Sequence, residues 1–421
     1  MEKHLLTTIL RAVLARSLKP FVFESTDHSP ALDLDVPHLG AYVHIPFCET
    51  LCPFCPYYKV AYGDGSAMPA YLDALEREIA RVLGRSVTPL SSVYFGGGTP
   101  ALAGEGIGRI IRAIKFHAEI AGEIGLELHP RDVAEDFTTM LLDAGVTMVS
   151  LGVQSFQPHS LAALGRPTDP SISVAALGML GTAGFSAVDV DLIFGIPGQS
   201  DDDLRRDFAR AVELGATQVS TYPFIDFSYA SNRIKPVSER RKQGLMSVLL
   251  KSAEENGFTR GSVWTFRRRG TPSYSSITRD DFVGFGASAT TLLRDQFKVN
   301  TFDVDGYISA VGNGRLPTAY TLRFSPRARR AYWLFWSCYN MDIGRDRFSA
   351  FFGAELDEEF GGSLALAKAL GIMAPTADGY TLTGRGAYWF HVIEQLYTHQ
   401  YIDKTWRVAM SATPPRRIML W

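Results

Sequence analysis

The chain has 421 residues, a formal net charge of −2 at pH 7, 46% hydrophobic and 20% charged residues. That balance excludes an intrinsically disordered chain, and the length suffices for one large α/β domain with a smaller companion. Charge of both signs without long runs argues against a nucleic-acid partner, and four cysteines are too few for a secreted disulfide scaffold, so a reducing, cytoplasmic setting is expected.

Leu5, Leu6, Ile9, Leu10, Val13 and Leu14 recur at helical spacing and predict an amphipathic helix over residues 1–16 rather than a signal peptide. No apolar run approaches membrane-spanning length, so no transmembrane segment is expected. Residues 25–38, rich in Pro, Asp and Ser, read as a connector. A strand over 41–45 then delivers a loop with Cys48, Cys52 and Cys55. A helix over 70–83 is followed by a strand at 92–95 running into Gly96-Gly97-Gly98-Thr99-Pro100. Further on, strands at 124–130, 147–151, 187–194 and 217–222 alternate with helices at 107–117, 134–144, 171–183, 201–214 and 239–256.

Strand–helix alternation repeated about six times predicts parallel strands in an open sheet or barrel. Glu127, Gln154, Asp191 and Tyr222 stand near strand C-termini, which form the active face of such folds. Beyond Gly257 the pattern changes. Residues 282–290 are a small-residue stretch where backbone can approach a ligand closely. From about Pro317 the rhythm is helical and aromatic, predicting a separate, mainly helical, winged-helix-like domain. The expected divisions are 1–38, 39–300 and 301–421. Cys338, on an aromatic-rich helix, reads as a buried structural thiol, and Arg267-Arg268-Arg269 as a solvated loop.

Cys48, Cys52 and Cys55 follow a C-x3-C-x2-C spacing. A disulfide leaves one thiol over. Zinc usually takes four ligands, and the loop supplies three, with His44 the only neighbour. Three thiolates on a short loop suit a four-iron cluster that keeps one iron open. The Gly triplet exposes backbone groups to a bound molecule or simply makes a tight turn. Glu127 and Asp191 are candidates for ribose hydroxyls or an ammonium, with solvated strand-end carboxylates as the alternative. Arg166 is a candidate partner for a small carboxylate, or a surface charge on a turn. His44 is either a donor to the ligand shell or a plain strand histidine. Tyr57 and Tyr58 either shield the cluster or pack on an adenine face.

Five segments together resemble the radical S-adenosylmethionine superfamily, in its group related to oxygen-independent coproporphyrinogen III oxidase. They are Tyr42-Val-His-Ile-Pro-Phe-Cys48 with Cys52 and Cys55, Tyr94 to Pro100, Leu151 to Phe156, Asp191 to Pro197, and Gly284 to Ala289. The resemblance implies a partial (β/α)6 TIM-like barrel and a 4Fe–4S cluster on Cys48, Cys52 and Cys55, whose open iron chelates S-adenosylmethionine. It implies Tyr42, Gly97, Gly98, Glu127 and Arg166 around that molecule, and Thr99, Gln154, Asp191, Ile193, Pro223 and Thr290 around a second one. It also implies a reducing donor such as flavodoxin or ferredoxin. No catalytic acid or base is singled out.

Two departures steer the expected reaction. Oxidases of this kind carry a fourth Cys where this chain has Tyr57, and the related haem chaperones carry an His-Asn…Tyr-Trp motif that is missing from residues 275–282. What remains resembles the radical methyltransferases and cyclopropanating enzymes of the group. The expected activity is therefore alkylation of an sp2 carbon in an aromatic or unsaturated small molecule, such as a quinone or indole. Coproporphyrinogen oxidation, haem ring opening and haem chaperoning are the alternatives. The basic, then apolar end, Arg416 to Trp421, either touches a membrane interface or lipid-tailed substrate, or packs on the body.

Overall fold

The computed structural model describes residues 2–25, 32–84, 88–231, 234–272, 280–411 and 413–420. Much of the 25–38 connector, most of the 275–282 stretch and Trp421 therefore lie outside the described residues.

The strands that make the main sheet are β1 (Phe21–Ser25), β2 (Leu39–Ile45), β3 (Leu90–Gly97), β4 (Ile120–Leu128), β5 (Met148–Gln154), β6 (Ala187–Phe194), β7 (Gln218–Pro223), β8 (Phe258–Arg260), β9 (Thr265–Arg268), β10 (Asp281–Phe285), β11 (Thr290–Leu293), β12 (Gln296–Asn300), β13 (Thr318–Arg323) and β14 (Arg417–Leu420). Their spatial order is β8-β9-β7-β6-β5-β4-β3-β2-β10-β11-β12-β13-β1-β14. From β10 through β2 to β7 every pairing is parallel. Outside that arc every pairing is antiparallel.

Each strand from β2 to β7 is followed by a covering helix: α2 (Ala67–Leu83), α3 (Gly106–His117), α4 (Glu135–Ala144), α5 (Pro170–Thr182), α6 (Asp201–Glu213) and α7 (Glu239–Glu255). This is the partial (β/α)6 barrel. It stays open because β7 pairs onward with β9, and β2 with β10. The helix starts are chemically marked. Ser200 accepts from the Asp203 N–H at 3.1 Å while its own N–H reaches the Asp203 carboxylate at 2.8 Å, and Asp201, Asp202 and Asp203 face the positive end of α6.

Side chains alternate across each strand. On β6, Val188, Val190, Leu192 and Phe194 join the core with the helices, while Asp189, Asp191 and Ile193 face the hollow inside. The hollow is therefore polar, unlike the packed apolar centre of a closed barrel.

The small-residue stretch after 280 lies in a run of strands, β10 to β12, antiparallel to one another. The chain reverses so tightly there that a Cβ on Gly284 would lie 2.1 Å from the Thr290 carbonyl oxygen. β13 precedes the helical region, which begins at Ser325, whose hydroxyl accepts from the Ala328 N–H, and Pro326. There α8 (Pro326–Tyr339), helices at Arg345–Phe352 and Leu356–Ala369, and α9 (Gly384–Tyr397) surround a three-stranded antiparallel sheet. The N-terminal helix, α1 (Glu2–Leu14), contacts α8 and α9. The basic–apolar end is strand β14 on β1, with Ile418 and Leu420 buried. Among the described residues no helix is long and apolar enough to cross a membrane.

Candidate functional site: one cavity at the strand ends

The cysteine loop and the glycine turn hold each other by main chain. Gly98 N–H donates to Ile45 O and Thr99 N–H to Phe47 O, both at 2.8 Å, and the Thr99 hydroxyl points at Cys48 Sγ, 3.4 Å away. Each glycine leaves room for something different. A Cβ on Gly96 would sit 3.0 Å from the Glu127 carboxyl, one on Gly97 2.7 Å from the His44 ring, and one on Gly98 2.6 Å from the Phe47 carbonyl oxygen. Gly97 also has φ 121°, a left-handed backbone that L side chains avoid.

His44 is a positioning residue. Its Nε2 bonds the Tyr58 carbonyl at 3.1 Å, which fixes the proton there and leaves Nδ1 to accept the Tyr42 hydroxyl at 2.9 Å. Burial pushes its pKa down to about 4, so the ring is neutral. It ties β2 to the segment after Cys55 and is no donor to the thiols. Tyr58 packs edge-on to Phe302 and stacks near His44.

Inside the barrel, Glu127 accepts from the Tyr94 hydroxyl at 2.9 Å and the Gly97 N–H at 3.1 Å, and burial raises it to about 7 against those donors. Asp191 is raised well above the carboxylate range by burial, then by Asp189 and Glu127. Ser150 Oγ lies 3.1 Å from Asp191 and 3.4 Å from Asp189, and Ser220 adds a 2.8 Å bond to Asp189. The two carboxyls share the Ser150 hydroxyl in a buried site, so charge on one disfavours charge on the other. Sequence reasoning missed Asp189, although its place two residues before Asp191 on one strand puts both on one face. Gln154 and Ser288 have φ of 71° and 61°, strain of a kind that concentrates at binding sites.

The three cysteines and Tyr42, Gly97, Gly98, Thr99, Glu127, Gln154, Arg166, Asp191, Ile193, Pro223 and Thr290 all line one cavity of about 1220 Å³. That exceeds the ~300–1,000 Å³ typical of single-ligand pockets. Its far wall carries Trp264, Trp336, Tyr339 and Tyr397. Cys338 is buried away from the cavity lining, its thiol pushed up to about 12 by burial.

The donor set fits an iron–sulfur group. Cys48, Cys52 and Cys55 are all free thiols. Burial lifts Cys48 to about 11 and raises Cys55, the latter opposed by Lys59 and the Tyr57 N–H, so thiolates here need a counter-charge. Arg166 supplies part of one: it is buried, its Nε has no hydrogen-bond partner, and Cys52 and Cys55 are among its charged neighbours. Among the described residues no three His, Cys, Asp or Glu side chains converge on a point that holds a single ion; a four-iron cube spreads its thiolates more widely than one ion does.

Residues 42–211 match the radical SAM superfamily. A haem chaperone, HemW, of Mycobacterium tuberculosis is 37% identical over 192 residues, 44% of this chain and 49% of the relative, so the chain matches about half the length of that protein. An oxygen-independent coproporphyrinogen III oxidase of Salmonella typhimurium is 27% identical over 303 residues, 65% of each chain. The solved coproporphyrinogen III oxidase of Escherichia coli superposes with a TM-score of 0.74 at 22% identity, covering 86% of this chain and 90% of that one, a likeness of fold.

These relatives overturn the expected C-methyl transfer or cyclopropanation of an aromatic or unsaturated molecule, because they are named for tetrapyrrole work. The physical reason lies at Tyr57. Its side chain lines the cavity, 54% exposed, and its N–H supports Cys55, so the three-thiol loop stands without a fourth cysteine. The 275–279 part of the other departure lies outside the described residues.

Proposed function

We propose that this chain, whose residues 42–211 form a radical SAM domain on a coproporphyrinogen-oxidase-like fold, is an oxidative enzyme of tetrapyrroles. One observation carries the reading: the thiol loop, the glycine turn, the buried carboxyls and a wall of large aromatic rings all open on a single cavity. A tetrapyrrole is a broad, largely apolar macrocycle of aromatic rings with acidic arms, and ring faces are its natural partners.

Cys48, Cys52 and Cys55 would hold the 4Fe–4S cluster. Tyr42, Gly97, Gly98, Glu127 and Arg166 would hold S-adenosylmethionine, and Thr99, Gln154, Asp191, Ile193, Pro223 and Thr290 a second molecule of it. When bound, that pair of groups supplies one-electron cleavage and a hydrogen-abstracting adenosyl radical. The chain supplies the rest. The Gly97 and Gly98 main chain packs the turn against His44 and Phe47, Glu127 offers an acceptor to ammonium or hydroxyl groups, and Asp189 and Asp191 face the same hollow.

A second reading, haem carriage without turnover, draws on the name of the mycobacterial relative. Anaerobic incubation with S-adenosylmethionine, dithionite and either coproporphyrinogen III or haem separates the two. The enzyme reading expects substrate-dependent 5′-deoxyadenosine and a mass change in the tetrapyrrole. Stoichiometric haem absorption without deoxyadenosine would favour carriage, and neither signal would remove both.

A further inference from the structure

Residues of α1, β1 and β14 also line this cavity and make an apolar lobe of it. Its lining there includes Leu14, Phe21, Leu322, Phe324 and Leu420. A cation stands in this apolar lobe. Arg11 of α1 is 8% exposed. Its Nη1 donates to the Leu420 carbonyl at 3.0 Å, its guanidinium lies 5.5 Å from the centre of the Phe21 ring, and its charge is close enough to favour the ionised Tyr401 hydroxyl. Its Nε is buried without any partner.

Arg11 has no counter-charge among the described residues: no carboxylate there pairs with it, whereas the similarly buried Arg329 has Asp281 and Arg327 has Glu359. A buried cation left uncompensated is costly, because neither water nor an anion repays its lost hydration. Its position on the cavity lining means that a ligand can supply what the fold does not.

The lobe is joined to the aromatic wall by touching rings. Phe335 and Tyr397 lie 4.8 Å apart, Tyr397 and Tyr401 5.0 Å, and Tyr401 and Phe21 5.9 Å. A ligand with an apolar aromatic body on the wall and an acidic arm is what this arrangement accommodates. The planar guanidinium fork suits a carboxylate. We propose that Arg11 is a carboxylate-binding subsite that takes an acidic side arm of the substrate. The inference rests on the tetrapyrrole reading and deepens it by assigning a residue outside the radical SAM segment to substrate recognition.

The test is an absorbance and fluorescence titration of the full, cluster-loaded chain with coproporphyrin III and with its tetramethyl ester. Wild type should prefer the acid by tenfold or more. Arg11→Met, which keeps most of the stem and removes the charge, should lose that preference while binding the ester as wild type does. Arg11→Lys should retain part of it. Cluster absorbance and S-adenosylmethionine affinity should be unchanged in both variants. An equal affinity of wild type for acid and ester overturns the subsite without any variant. Full preference in Arg11→Met overturns it and leaves the tetrapyrrole reading standing. A fall in S-adenosylmethionine affinity instead overturns it by assigning Arg11 to the cofactor's own carboxylate. No binding of either probe by wild type overturns both the subsite and the reading it rests on.

Discussion

The two walls of the cavity are built in opposite ways. The cysteine-loop wall is a main-chain construction: Gly98 and Thr99 bond to Ile45 and Phe47 at 2.8 Å, and each glycine would collide with a named neighbour if it carried a Cβ. The far wall is a side-chain construction in which Trp264 meets Tyr339 at 5.6 Å and Phe335 meets Tyr397 at 4.8 Å. Main-chain bonds fix one geometry, as a cofactor requires. Packed rings are fixed by their neighbours' shapes, so that wall is set by which side chains the sequence supplies. The difference teaches where to look for conserved machinery and where for specificity.

The largest expected effect separates the walls outright. Changing Cys48, Cys52 or Cys55 to Ala should abolish the visible absorption of the reconstituted cluster and with it deoxyadenosine formation. Cys338→Ala, in a far-wall helix, should leave both intact, because a buried thiol raised to about 12 is no thiolate donor. Iron and sulfide counts check this, and equal behaviour of all four variants would erase the distinction.

Next comes Gly97→Ala. It forces a residue with a side chain into φ 121° and places a Cβ 2.7 Å from His44. The strain is on the order of 1–3 kcal/mol, and displacing His44 disturbs the bond to Tyr58, so S-adenosylmethionine affinity should fall at least tenfold in equilibrium titration. Gly178→Ala, on α5 with nothing within 4 Å of the added carbon, is the matched control and should be neutral or slightly stabilising.

Behind the same wall sits Glu78, on α2. It accepts from the Tyr307 hydroxyl at 2.7 Å, the Gly286 N–H at 2.8 Å and the Asn300 amide at 3.1 Å. Burial raises it from 4.5 to about 7 despite these donors. The folded state thus binds more protons than the unfolded one between those values. Stability from this group is fully present below pH 4.5 and is lost as pH rises to about 7, by on the order of 3 kcal/mol in total. Denaturant midpoints of wild type should fall across that window, and those of Glu78→Gln should fall less. An unchanged slope would mean that other buried carboxyls carry the pH dependence.

The parallel half was legible in sequence for the reason that makes its wall rigid. Where function is tied to main chain, it demands Gly and Cys at set positions after strands, and period-2 and period-3.6 patterns stand out between them. Asp189 was not legible because it sits inside an otherwise apolar buried strand. The antiparallel leaf escaped for another reason. Gly284, Gly286, Ala287 and Ser288 give no alternation, and β1 pairs with β13 and β14 some three to four hundred residues away in the chain. Arg11 stands on an amphipathic helix, and only packing against Leu420 and Phe21 shows that it is buried. The aromatics of the far wall were visible as residues, but the direction of a ring depends on its neighbours.

The smallest effect concerns that wall alone. Trp264 donates its indole N–H to His391 Nδ1 at 2.9 Å, and both are buried. The bond joins the strand entering β9 to α9, so it spans the two parts of the chain that make the wall. Trp264→Phe keeps a ring in place and removes the donor. His391, held neutral because burial pushes it down to about 3, cannot recover the loss by taking a proton at neutral pH. An unfolding free energy lower by about 1–2 kcal/mol is expected from a buried acceptor left unpaired. Tetrapyrrole affinity should weaken several-fold, because Trp264 lines the cavity. Cluster content and S-adenosylmethionine affinity should not move, since no main-chain bond of the cysteine-loop wall passes through Trp264. A parallel loss of S-adenosylmethionine affinity would show that the walls are one mechanical unit and that their different construction has no functional meaning.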